Sequence, residues 1–291
     1  MECRHTRREF FGRAGALAAA AAAVRAAEGL ADDTPGPLPT IRLGDLEVSR
    51  LILGSNPFFG FAHGSPQATA EEMRQWYTPE RVMAVMDQAA EQGVTAVWTP
   101  CYEHWVEIWN DYRRRNGKLE IWIAQPDRLP MERDIEIAVE NGAQAVAIQG
   151  MRIDDQAQAG RWDVIAGWLE LIKSHGLPAG MADHQVGTRE VATLLEAQRR
   201  GLPADFFHQS LYLPSGDYSQ GREEALAVID QLTKPVVVFK ALAAGRVLPE
   251  ASFPSLFERL NRKDGVCVGV FHRDHNQIAD SVALTRELTD A

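Results

Sequence analysis

Residues 145–182 read AVAIQGMRIDDQAQAGRWDVIAGWLELIKSHGLPAGMA. The first four residues are an unbroken apolar run, the pattern of a strand buried on both faces. Residues 162–175 repeat apolar side chains at helical spacing, Gly176 stands where that helix should stop, and residues 179–182 are a second apolar run. Strand, helix and strand in this order make the unit of a parallel sheet.

The unit recurs in both directions. Apolar runs stand at 51–53, 96–99, 121–124, 145–148, 179–182, 206–207, 236–239 and 266–271, eight in all. Helical periodicity fills 79–92, 131–141, 189–200, 223–232 and 276–288, with Thr78 as an N-cap before Pro79 and Gly93, Gly142 and Gly201 at helix ends. After a first interval of about 45 residues, strand starts follow one another every 25–35 residues or so. Eight such units predict one domain over residues 40–291, an α/β chain folded as a single (β/α)8 TIM barrel. An open dinucleotide-binding sheet is disfavoured, because residues 53–60 have the wrong glycine spacing and contain Pro57. The longest insertion, residues 56–77, carries Phe58, Phe59, Phe61 and Trp76 and is expected to wall or lid the barrel mouth.

The N-terminus has a separate reading. Thr6, Arg7, Arg8, Glu9, Phe10 and Phe11 precede an alanine-rich apolar run over 14–24 and then small residues, so residues 1–31 read as a twin-arginine signal peptide cleaved near Ala26–Ala31. The run is too short to span a bilayer, so no stable membrane anchor is expected. Residues 32–39 follow as a proline-rich extended leader. The expectation is a periplasmic or secreted protein whose partners are the twin-arginine export machinery and a small-molecule substrate. Net charge is −10, and loss of residues 1–31 removes two net positive charges to leave −12. Such an acidic chain gains nothing from polyanions, which argues against nucleic acid as a partner. Cys101 and Cys267, read as lying at opposite ends of the barrel, are not expected to pair.

Barrel enzymes place their chemistry at the C-terminal ends of the strands. Asn56, Tyr102, Glu103, Gln125, Gln149, His184, His208, Lys240, His272 and Arg273 stand there, together with His104, Asp127, Arg152, Asp183, Gln209, Asp274 and His275. His184, His208 and His272 converging on one pocket would suit a divalent metal, or would orient a substrate as neutral hydrogen-bonding groups. Lys240 follows a wholly apolar strand, which marks it as a general base, a Schiff-base nucleophile or an anion-binding cation. Arg246 and Arg273 nearby extend the last of these readings. Trp105 and Trp109, at i and i+4, are either sugar-stacking platforms or helix packing.

Residues 41–54, with the stretches 93–98, 207–212, 239–245 and 276–278, resemble the aldo-keto reductase superfamily across the whole span after the leader. The resemblance implies a hairpin before the first barrel strand and NADP(H) as cofactor. It implies a catalytic Asp, Tyr, Lys and His, whose positions hold Trp98, Tyr102, Gln125 and Gln149. Only the tyrosine is kept. For the nicotinamide it implies Asp183, Gln209 and Phe239, and for the adenosine phosphate Arg273 and Gln277. Three functions follow: an aldo-keto reductase-like oxidoreductase on a small polar or carbohydrate-like substrate, with Tyr102, Lys240, His184 and His208 catalytic and Asn56, Glu103, Trp105, Gln125, Gln149, His272 and Arg273 binding substrate; a metal-dependent or cofactor-free isomerase, lyase or hydrolase; or a non-catalytic ligand-binding barrel.

Overall fold

A computed structural model describes residues 37–185, 192–213 and 218–289. The stretch read as a signal peptide and most of that read as a leader lie outside the described residues. Strands β1 (Thr40–Leu43) and β2 (Leu46–Ser49) form an antiparallel hairpin. Eight parallel strands then close into a barrel: β3 (Leu51–Gly54), β4 (Ala96–Pro100), β5 (Ile121–Gln125), β6 (Ala145–Ile148), β7 (Ala179–Asp183), β8 (Phe206–Ser210), β9 (Val236–Phe239) and β10 (Gly265–Gly269). Neighbours in sequence are neighbours in space, and β10 returns to pair with β3, Val266 beside Leu51. The predicted barrel and hairpin are both present.

Each strand separates two apolar layers by its alternation. Inward residues Ile52, Ala96, Trp98, Ile123, Ala147, Phe206 and Val237 form one cluster with Ile41, Leu43 and Val48 of the hairpin. The hairpin therefore plugs the end of the barrel opposite the strand C-termini. Outward residues such as Val97, Trp122, Val146, Met181, Phe207 and Val238 pack under the helices.

The helices are α1 (Ala70–Trp76), α2 (Pro79–Glu91), α3 (Glu103–Arg114), α4 (Met131–Glu140), α5 (Gly150–Gln158), α6 (Trp162–Ser174), α7 (Thr193–Arg199), α8 (Arg222–Ile229), α9 (Pro249–Phe257) and α10 (Gln277–Thr289). Thr78 caps α2 as expected, its hydroxyl accepting from the Arg81 N–H. Gly93 ends that helix at φ +91°, a left-handed value that only glycine takes without strain. In α3, Trp105, Ile108, Trp109 and Tyr112 recur at helical spacing and are all buried. Trp105 and Trp109 stack at 6.0 Å, and both meet Trp122 on the outer face of β5. Trp105, expected among the substrate-binding residues, is thus fully inside the helix–sheet core and reaches no solvent.

Two boundaries also differ from expectation. Leu38 is already buried and the Pro39 carbonyl accepts from the Arg50 N–H, so contact with the barrel begins two residues inside the stretch read as leader. Cys267 lies in the middle of β10 rather than at its beginning. Both Cys101 and Cys267 are buried free thiols. No helix among the described residues is long and apolar enough to cross a membrane.

Candidate functional site

A cavity of about 340 Å³ opens at the C-terminal end of the barrel. Its wall includes Asn56, Tyr102, Gln125, Gln149, His184, His208, Phe239 and Lys240 from the predicted set. The insertion closes one side with Phe61, His63, Gln67 and Met73, as expected of a wall. It is tied down by Arg246, which donates to the carbonyls of His63 and Gly64 and lies over the Tyr218 ring. Arg246 is thereby used in structure rather than left for an anion.

The positions that the resemblance assigns to a catalytic tetrad hold a different network. The indole N–H of Trp98 donates to Gln125 Oε1 at 2.7 Å, joining β4 to the end of β5. Gln149 caps α5, its Oε1 accepting from the N–H groups of Met151 and Arg152. Tyr102 donates its hydroxyl to Asp127 Oδ2 at 2.5 Å. Asp127 is presented by a fixed loop: buried Asp134 accepts from the Asp127 and Arg128 N–H groups and from the Arg128 guanidinium, which also donates to the Cys101 carbonyl. Burial holds the Asp127 carboxyl above its ordinary range, against the Tyr102 hydrogen bond, with Asp134 pushing the same way as burial. Burial and then Asp127 push the Tyr102 phenol up as well and outweigh the Arg128 guanidinium, 5.7 Å over its ring, so this tyrosine is not readied to give up its proton.

Across the cavity, Lys240 follows the apolar run of β9. Its backbone has φ +60°, and Ala243 and Ala244 in the same loop have φ +48° and +54°. Three left-handed residues without a glycine cost on the order of 1–3 kcal/mol each, strain that persists where surroundings impose it and that concentrates at functional sites. The loop is fixed by the Ala243 N–H donating to the Lys240 carbonyl and Ser252 Oγ donating to the Ala241 carbonyl. The Lys240 ammonium lies 5.7 Å over the Phe239 ring and has no carboxylate partner among the described residues. Burial lowers its pKa to about 8.

His184 presses Nδ1 against Gly150, where a Cβ would come within 2.1 Å of it. Burial, and next Lys240 and His63, lower the His184 pKa to about 3, and burial followed by His184 puts His208 well below its ordinary value. Both imidazoles are neutral at physiological pH. The His208 ring stacks on Trp98 at 3.9 Å and lies tilted against Phe239 at 4.2 Å.

Other predicted residues lie elsewhere. Glu103 is exposed in the first turn of α3. Arg273 pairs with Asp274 at 3.1 Å and approaches Glu72 at 3.8 Å, away from the cavity wall. His272 is also off that wall, its N–H donating to Tyr77 Oη. The proposed metal set His184, His208 and His272 is corrected accordingly: among the described residues no three of His, Cys, Asp and Glu converge to hold a metal ion. The nicotinamide set is corrected too. Asp183 and Gln209 share the outward face of β7 and β8 with Met181 and Phe207, and both are fully buried. Asp183 Oδ1 accepts from the Gln185 N–H and Gln209 donates to the Ser210 carbonyl. Only Phe239 of that set reaches the cavity, and His208 and His184 crowd its ring. With Arg273 spent on carboxylates and Gln277 accepting from the Phe271 N–H, the residues present do not fit NADP(H).

His63 and Tyr218 were not singled out from the sequence. His63 sits in an aperiodic insertion, where only its place between Gly60 and Gly64 hints at a turn brought back over the mouth, and Tyr218 carries no local signal.

A strained lysine, a tyrosine–aspartate pair and neutral imidazoles meet at the mouth of a closed parallel (β/α)8 barrel. No family model and no curated protein matches the chain. Among solved structures it is similar to an aldo-keto reductase from Pseudomonas aeruginosa, with TM-score 0.62 and 17% identity over 86% of this chain and 94% of that one. It is similar to a holo-form aldo-keto reductase from Bacillus halodurans, with TM-score 0.56 and 13% identity over 87% and 91%. A truncated 3-deoxy-D-arabino-heptulosonate 7-phosphate synthase from Thermotoga maritima follows, with TM-score 0.52 and 16% identity over 89% and 92%. At such identities the likeness is one of fold.

Proposed function

We propose that this barrel is a cofactor-independent isomerase or lyase acting on a small, polar, carbohydrate-like carbonyl compound through a Schiff base on Lys240. The observation that carries the reading is Lys240 itself, a half-buried ammonium without a counter-ion among the described residues, held on the cavity wall by left-handed backbone. A pKa of about 8 leaves an appreciable fraction of free amine near neutrality, unlike an ordinary lysine.

The amine nitrogen attacks the substrate carbonyl carbon, the carbonyl oxygen takes up protons and departs as water, and a protonated imine remains. That imine accepts the electron pair of an adjacent C–H or C–C bond, and water later releases product and regenerates the amine. Asp127, which burial makes a better proton carrier than an exposed carboxylate, takes and returns the proton, with Tyr102 aiming it. His184 and His208, being neutral, serve as hydrogen-bonding groups in place of proton carriers. Carbonyl reduction of the aldo-keto reductase kind is the weaker reading, because Tyr102 faces a carboxylate and no lysine, and Asp183 and Gln209 turn away from the cavity.

Incubation with glyceraldehyde and borohydride at neutral pH should reduce the imine to a stable secondary amine on Lys240, read by intact mass and peptide mapping. Labelling should grow as pH rises through about 8. Equal labelling of Lys118, Lys173, Lys234 and Lys263, or undiminished labelling of Lys240→Met, would remove the proposal.

A further inference from the structure

His208 lies deep in the cavity. It is level with Val237 of β9, three residues below Lys240, roughly 10 Å along the strand. Trp98 stacks on its ring at 3.9 Å, with 30° between the planes, and Phe239 lies tilted against it at 4.2 Å and 38°. Only the ring edge can meet a polar group. Neither Nδ1 nor Nε2 has a partner among the described residues, although the side chain is almost wholly buried. Buried polar atoms are ordinarily satisfied, so two on one cavity-lining ring call for a partner from outside the chain.

The neighbours narrow what that partner is. Trp98 has already given its N–H to Gln125 Oε1, which fixes the Gln125 amide and leaves its NH2 group without a partner among the described residues. The charged groups of the wall, Lys240 and Asp127, stand at or beyond the strand ends.

We infer that His208 is the specificity-determining residue of this cavity, its ring edge receiving a hydroxyl group of a neutral, polyhydroxylated ligand. A neutral imidazole presents one N–H donor and one lone pair, and a hydroxyl is the group that accepts from the first and donates to the second. A carboxylate or phosphate would set negative charge against that lone pair. Burial keeps the ring uncharged, and His184 adds to the effect. The inference rests on reading this cavity as the substrate site and is independent of imine formation at Lys240.

The test uses the full chain with 15N-labelled histidine and erythritol, a neutral polyol with no carbonyl, beside its carboxylate counterpart erythronate. Erythritol should shift the His208 ring resonances in wild type and in Lys240→Met. His208→Phe, which keeps a flat ring in the stack, should weaken erythritol binding about tenfold, and His208→Gln, which keeps a donor and an acceptor, should recover most of it. In Lys240→Met, where no ammonium can hold the carboxylate, erythronate should bind more weakly than erythritol. Unmoved His208 resonances, equal binding by His208→Phe, or a preference for erythronate in Lys240→Met would overturn the inference. A shift by erythritol without glyceraldehyde trapping would keep the inference and remove the Lys240 chemistry.

Discussion

Lys240 carries a cost that follows from its place. Its pKa lies near 8 in the folded chain against the ordinary 10.5, so the folded state disfavours the proton that the unfolded state keeps. Stability therefore rises as pH goes from about 8 to 10.5, and below 8 the full desolvation cost is present. Lys240→Met should abolish trapping and at pH 7 stabilise the fold by roughly 2 kcal/mol, a gain that shrinks towards zero above pH 10.5 or so. Urea melts at both pH values check this, and a pH-independent difference would count against the burial argument. This residue was legible in the sequence because a wholly apolar strand leads directly to it. The Tyr102–Asp127 pair was not, since it depends on how Asp134 folds back its loop. Trp105 shows a different limit: the i, i+4 spacing identified a helix face but not which neighbour that face covers. Asp183 and Gln209 went astray through parity, a single step along a strand turning a side chain from the cavity to the helices.

The β6–α5–β7 segment is where packing between elements touches the chemistry. Gly150 opens α5, and the His184 ring at the end of β7 fills the space a methyl group would take. Alanine there improves helix propensity yet collides with the imidazole, so Gly150→Ala should displace His184 and lower stability by about 1–3 kcal/mol. A crystal structure of the variant, or a changed His184 titration by NMR, checks this; an unmoved ring in a protein of unchanged stability contradicts it. Strands and long amphipathic helices were read nearly to their ends, as with β6, β9 and the span of α6. Short elements were missed: α5 begins with glycine and has few apolar positions, and α9 contains Pro254. Their helicity comes from docking on the barrel rather than from local pattern.

Closure of the ring depends on joining the first barrel strand to the last. Arg50, at the start of β3, is buried; its guanidinium donates to the carbonyls of Asp264 and Asn261 beside β10, and it lies over the Phe257 ring. Arg50→Met keeps the stem but leaves those carbonyls unsatisfied, which should cost about 2–4 kcal/mol in urea unfolding. Glyceraldehyde trapping at low temperature should be unaffected, because the site is at the far end of the strands; loss of both together would show that the two ends are coupled. The barrel as a whole was legible because its repeat is set by local hydrophobic patterning. Most residues of the mouth were legible by the same rule, but how they pair there was not, because the partners come from strands and loops that the sequence holds apart.

The apolar seat of Ile41, Leu43 and Val48 beneath the barrel has a kinetic meaning. It makes the interior a blind alley with one doorway, so whatever leaves must retrace the path by which its precursor arrived. Departing molecules and incoming ones then compete for the same passage, and turnover slows as the former accumulate.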